Sequence, residues 1–202
     1  MMEEQFERLI DDILEQGYGV LDDFLRPHEV AALANTLRRR RDAGEFKSAG
    51  IGQQQVTVQT AIRGDEICWL DADTAQPEEQ LYLDRIQHLI DYLNRTCYLG
   101  LQDAEVHYAV YPAGTFYKRH LDRFRTDSRR KMSVICYLNE HWQETDGGQL
   151  VVFKAQPDGS EEARSIVPLG GRLVCFESDR LEHEVRPGHR ERMSLTGWLR
   201  TR

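Results

Sequence analysis

The chain has 202 residues, of which 34 are acidic and 26 basic, for a formal charge of −8; that length suffices for one domain with a sizeable core. The acidic balance argues against a nucleic-acid backbone as the main partner, because phosphate binding rests on clustered positive charge. No apolar run approaches a membrane span, and the N-terminus Met-Met-Glu-Glu-Gln-Phe-Glu-Arg lacks the apolar core of a signal peptide.

Phe6, Leu9, Ile10, Ile13 and Leu14 share one helical face, which predicts an amphipathic helix over 3–16, stopped by Gly17-Tyr-Gly19. A short strand over 20–24 follows. Pro27 suits the first position of a second helix, with Val30, Leu33, Ala34 and Leu37 as its buried face and Gly44 at its end. The run Arg38–Arg41 falls in its last turn and reads as dipole-favoured charge on a solvated surface rather than a partner patch. Residues 47–55 read as a mobile loop and 56–62 as a strand, followed by Arg63-Gly-Asp-Glu-Ile-Cys-Trp69. Tyr82, Ile86, Leu89, Ile90, Leu93 and Cys97 mark a third helix from Pro77 to about Tyr98.

The character changes near Ala104. Eight short strands are predicted at 105–111, 115–120, 131–138, 149–153, 163–168, 172–177, 183–186 and 192–199, separated by turn signals such as Asp-Gly-Gly at 146–148 and Pro-Asp-Gly at 157–159. The expected fold class is therefore α+β: a double-stranded β-helix (jelly roll) core over 104–202, with N-terminal helices over 1–103 packed on one sheet. No repeat or linker divides the chain, so a single domain over 1–202 is expected. Cys68, Cys97, Cys136 and Cys175 form no CxxC pair, and two of them sit in apolar strand-like runs. A reduced, cytoplasmic protein is the expectation, with monomer as the default state.

Residues two apart on a strand project to one face, so His120 and Asp122 can bind one ion together. His183, after the strand 172–177, is the candidate third ligand. Two histidines and a carboxylate form a facial triad that leaves three positions open on an octahedral iron(II). A structural zinc would take four ligands, preferably thiolates, and no cysteine lies beside this set. Three open positions suit a chelating 2-oxo acid plus dioxygen. The far carboxylate of such an acid needs a fixed cation, and Arg192 lies nine residues after His183. By period two, Arg192, Ser194, Thr196 and Trp198 share a strand face, while Tyr111 and Tyr137 on other strands could donate further hydrogen bonds. A hydrogen-bonded polar cluster is the plainer reading of the same residues. His107, His141 and His189 read as surface or loop histidines.

The pattern His120-X-Asp122, His183, Arg192 resembles that of iron(II)/2-oxoglutarate dioxygenases, and more closely the prolyl 4-hydroxylases of the oxygen-sensing, hypoxia-inducible-factor type, in a bacterial-like single-domain form. The matching segments are Arg63–Trp69, Tyr111-Pro with Tyr117-X-X-His120, Tyr137-Leu-Asn139 with Trp142, Gly147-Gly-X-Leu150, and His183-Glu-Val-X-Pro187 through Arg192 and Trp198, in the family's order over roughly residues 20–200. The resemblance implies that His120, Asp122 and His183 bind Fe(II). It implies that Arg192, helped by Tyr137 and Thr196, holds the distal carboxylate of 2-oxoglutarate, with Tyr111 near the iron-bound end. The loop carrying Arg63 and Asp65 would close over a peptide containing the target proline, with Trp69 anchoring it. O2 is the second co-substrate, succinate a product, and stimulation by L-ascorbate (vitamin C) is expected. Asp122, where a small apolar residue would open a halide position, argues for hydroxylation over halogenation. Departures from the family are the lack of a zinc-finger module ahead of the domain, a different segment over 123–130, and an end at Arg202 without a C-terminal tail; all bear on substrate identity. The protein substrate stays open, a translation factor or another abundant protein included. Two alternatives differ in kind: the same chemistry on a nucleobase, as in alkylation repair, or a jelly-roll metal-binding or sensor module without turnover.

Overall fold

A computed structural model describes residues 2–50, 61–122, 129–156 and 158–202. Its helices are α1 (Met2–Gln16), α2 (Pro27–Asp42) and α3 (Pro77–Cys97). Its strands are β1 (Tyr18–Leu21), β2 (Lys47–Ser48), β3 (Glu66–Trp69), β4 (Asp103–Tyr111), β5 (Tyr117–His120), β6 (Arg130–Tyr137), β7 (Leu150–Ala155), β8 (Glu161–Ile166), β9 (Leu173–Glu177), β10 (Glu182–Val185) and β11 (Arg192–Arg200). A seven-stranded sheet runs β1-β9-β6-β11-β4-β3-β2 and a four-stranded sheet runs β5-β10-β7-β8. The eight strands from β4 onward form the expected jelly roll.

Strand alternation builds two cores. Val106, Tyr108 and Val110 of β4, with Val134 and Cys136 of β6, face the helices and bury Phe6, Leu9, Leu33, Leu37, Ile86 and Leu89. Ala109, Tyr111, Ile135 and Tyr137 face the other way and close against Leu150, Val152 and Val185 of the smaller sheet. The functional side chains lie in this second, inter-sheet layer. Leu14, expected on the buried face of α1, is 80% exposed because it sits at the edge of the apolar stripe.

The basic end of α2 is less solvated than the sequence suggests. Arg40 donates to both oxygens of the fully buried Glu79 on α3, at 2.8 and 2.9 Å. Arg41 pairs with Glu66 of β3 at 2.8 Å and with Glu191 at 2.5 Å. The run thus ties α2 to α3 and to the larger sheet, which carries Arg192. Removing one partner of a buried pair leaves an uncompensated charge, so Arg40→Ala is expected to lower stability by about 3 kcal/mol in urea unfolding.

Several strands shift by one to three residues. The strand expected at 115–120 begins at Tyr117, because Thr115 completes a turn by donating its N–H (3.0 Å) and hydroxyl (2.7 Å) to the carbonyl of Pro112. The one expected at 20–24 is Tyr18–Leu21, paired with β9. β8 spans Glu161–Ile166 rather than 163–168, drawn back by pairing with Ala155 to Leu150. Lys47–Ser48 is a short strand rather than loop, and Glu66–Trp69 is a strand pairing β4. The strand expected at 56–62, most of the 47–55 loop, the divergent 123–130 segment and the first residue of the 157–159 turn lie wholly or mainly outside the described residues.

Candidate metal centre

β5 and β10 are antiparallel neighbours with His120 opposite His183, which brings together two residues far apart in the chain. Asp122 follows two residues beyond, just past the strand end. Its Oδ1 lies 3.4 Å from Nε2 of His120 and 3.6 Å from Nε2 of His183. One donor atom from each of the three lies within 4.8 Å of the others.

The protonation states suit a metal. Nδ1 of His120 lies 2.7 Å from the carbonyl of Lys118, and Nδ1 of His183 lies 3.1 Å from that of Leu181. Carbonyls only accept, so both Nδ1 atoms donate a proton to them, and both Nε2 atoms are turned towards Asp122. Burial lowers the His183 pKa against the opposing pull of Asp122. Burial would raise the Asp122 carboxyl, but His183, His120 and a hydrogen bond from Ser133 hold it well below the usual carboxylate range. Two Nε2 atoms and an ionised carboxylate converge here, the donor types that ligation uses. One carboxylate with two imidazoles, and no thiolate in the set, fits a divalent iron that keeps positions open.

The triad opens onto a cavity of about 580 Å³ between the sheets. Register explains its shape. Across the larger sheet, Tyr137, Ser194, Ala109 and Ile67 form one row, and Ile135, Thr196, His107 and Trp69 the next. Ala109, small, lines the cavity from the first of these rows. Arg192 pairs with Tyr111 at one end and is 2% exposed. Its guanidinium carbon sits 5.0 Å from the Tyr111 ring and 4.9 Å from the Tyr137 ring.

Among the described residues Arg192 is anchored by one bond, Nε to the Gly148 carbonyl at 3.0 Å. Gly148 adopts φ +66°, and a Cβ there would come 3.3 Å from Cδ of Arg192 and 3.1 Å from Trp142, so the Asp-Gly-Gly turn is shaped to hold this arginine. Among the described residues, Nη2 of Arg192 and the Tyr137 hydroxyl have no hydrogen-bond partner although both are buried. Burial keeps the Tyr137 and Tyr111 phenols above their ordinary pKa, so both stay protonated donors. A buried cation beside an idle phenol is a fitting seat for a carboxylate. Thr196 shares this face, its hydroxyl 3.2 Å from that of Ser194.

His107 departs from expectation. It is 3% exposed, on the cavity side of β4, between Trp69 (4.8 Å) and Trp198 (5.5 Å). Its Nδ1 and the Trp198 Nε1 also lack partners among the described residues. Trp69, expected to anchor the loop carrying Arg63 and Asp65, covers His107 and stays half exposed at the rim. Burial, reinforced by Arg63 and Arg130 and opposed by Asp65, pushes the His107 pKa down to about 4. An unfolded chain therefore binds this proton first, and His107 subtracts stability as pH falls from about 6.5 towards 4. Relative to wild type, metal-free His107→Leu is expected to lose about 2 kcal/mol less on going from pH 7 to pH 5 in urea unfolding. Parallel losses would contradict the burial argument.

Arg63 and Asp65 also line the cavity, but their contacts run inward. Arg63 donates to both oxygens of Asp65 at 2.7 and 2.5 Å, and Asp65 is 3% exposed. His141 and His189 remain outside the site.

Residues 106–200 match the model of the 2OG-Fe(II) oxygenase superfamily. A Pseudomonas putida prolyl-4-hydroxylase structure is 42% identical, with all of both chains covered and a TM-score of 0.84. A Trichoplax adhaerens prolyl hydroxylase, solved with a hypoxia-inducible-factor oxygen-degradation-domain peptide, is 27% identical, covering 98% of this chain and 90% of that one, with a TM-score of 0.86. Egl nine homolog 1 of Mus musculus is 32% identical over 95% of this chain and 48% of its own, so the chain spans about half of that relative's length.

Proposed function

The chain belongs to the 2OG-Fe(II) oxygenase superfamily, among the prolyl hydroxylases, and from that premise we propose that it hydroxylates a prolyl residue of a protein substrate while converting 2-oxoglutarate to succinate. The observation that carries this reading is the pairing of an open His-Asp-His triad with a buried, half-satisfied Arg192 in one cavity. Iron(II) with 2-oxoglutarate and O2 supplies the oxidation: one oxygen atom enters succinate as carbon dioxide leaves, and the other enters a proline C–H bond.

The chain's own part is binding and orientation. His120, Asp122 and His183 would hold the metal through two imidazole nitrogens and one anionic oxygen. Arg192 neutralises the distal carboxylate, with the Tyr137 hydroxyl and Thr196 beside it and Tyr111 towards the metal end. Tyr111 and Tyr137 flank the guanidinium and keep water from it, which strengthens the ion pair. His107, Trp69 and Trp198 form the wall at the other end of the cavity, an aromatic surface suited to a proline-containing extended segment.

The reading extends to a cytoplasmic monomer stimulated by ascorbate, for which four free cysteines support a reducing compartment. Its substrate class is a protein, a translation factor being one open choice. The acidic charge and the likeness to prolyl hydroxylases both favour protein over nucleobase. The test is incubation of candidate proline-containing peptides with protein, iron(II), 2-oxoglutarate and O2, followed by mass spectrometry. One added oxygen on a prolyl residue, matched by succinate, is expected. Succinate formation driven instead by an alkylated oligonucleotide would reverse the substrate assignment.

A further inference from the structure

β5, the strand of His120, is the edge of the smaller sheet, with β10 on only one side. Its other side is closed by the segment around Arg63. Arg63 forms an isolated antiparallel bridge with Tyr117, the Gly64 N–H donates to the Phe116 carbonyl at 3.0 Å, and the Lys118 N–H donates to the Ile62 carbonyl at 2.9 Å. A Cβ on Gly64 would stand 2.8 Å from Cβ of Thr115, so only glycine permits this approach. From this bridge a stack runs to the metal centre. The Arg63 guanidinium lies 4.4 Å from the Tyr117 ring centroid, and that ring lies 3.6 Å from the His120 ring at an interplanar angle of 15°.

We propose that Arg63, held by Asp65, is a positioning residue for the metal: it presses Tyr117 flat on His120 and thereby fixes how that ligand is aimed. This assigns the pair an inward task instead of direct contact with a peptide, and it rests on the metal-ligand reading above. His120 needs such support. Among the described residues its Nδ1 is held by Lys118 O, and an imidazole so held can still rock about its side-chain torsion. A parallel ring at van der Waals distance blocks that motion. The effect is orientational rather than electrostatic, because Arg63 donates to both carboxylate oxygens of Asp65 and the pair is neutral as seen from His120.

The test uses the whole chain, anaerobically, with cobalt(II) as visible-absorbing probe and no co-substrate or peptide. Arg63→Ala and Tyr117→Leu are expected to weaken cobalt(II) binding by about 10- to 100-fold, the range typical of lost outer support. Tyr117→Phe keeps the stacked ring and is expected to bind cobalt(II) like wild type. Circular dichroism melts identify folded variants, and if Arg63→Ala does not fold, the Tyr117 pair decides. Wild-type cobalt(II) affinity in Tyr117→Leu or folded Arg63→Ala would overturn the proposal. Cobalt(II) binding that His183→Ala leaves unchanged would overturn the ligand assignment beneath it, a separate failure.

Discussion

Replacing His183 with alanine is expected to lower succinate formation at least about a thousandfold, equivalent to about 4 kcal/mol in the barrier. His183 is buried, has its Nδ1 proton fixed on Leu181 O, and presents Nε2 to Asp122. Its loss leaves two ligands, one of them on an edge strand, and removes a neighbour that holds Asp122 ionised. The fold should survive, since the ring's other contacts are an edge against Phe176 at 4.8 Å and His120 at 4.3 Å. The check is succinate production together with bound iron after equilibrium dialysis. Both should fall, while the melting temperature of the metal-free protein changes little. Succinate formation near wild type would remove His183 from the ligand set.

Arg192→Ala is expected to raise the KM for 2-oxoglutarate about a hundredfold to a thousandfold, the usual outcome when one partner of a buried charge pair is truncated. The orphaned Nη2 and the Tyr137 hydroxyl are two donors prepared for one carboxylate. Alanine removes the first and leaves the second without a partner. Arg192→Lys should recover only part of the loss, because an ammonium cannot both donate to Gly148 O in the guanidinium's place and face a carboxylate with a planar fork. The rate at saturating 2-oxoglutarate should fall less than the affinity, since Arg192 lies at the cavity end away from the reacting bond. A variant that lost rate without losing affinity would show that Arg192 acts elsewhere.

The readable part of this protein was what repeats locally. Period-two alternation located the jelly-roll strands and set Arg192 and Thr196 on one face, and the spacing His120-X-Asp122 stated its own geometry. His107 is polar, yet counting back by two from Tyr111 places it on the cavity face, so its burial is legible from period alone. The candidacy of His183 rests on its place after the strand 172–177, but its seat opposite His120 is set by β5–β10 register, which no local pattern states. The Arg40–Glu79 and Arg63–Asp65–Tyr117 contacts are set by tertiary packing. For such pairs, charge runs and turn motifs tell only that charges exist, not which partner is buried beside them. β3 is too short to announce itself, since its four residues Glu66–Trp69 carry no clear polar–apolar alternation.

The most direct test of the central claim is anaerobic visible absorption of the purified protein with iron(II), titrated with 2-oxoglutarate. The expected result is a metal-to-ligand charge-transfer band that saturates in the wild type, is absent in His183→Ala, and needs far more 2-oxoglutarate in Arg192→Ala. No band from folded, iron-loaded wild type would contradict the account and leave a metal-binding module without turnover in its place.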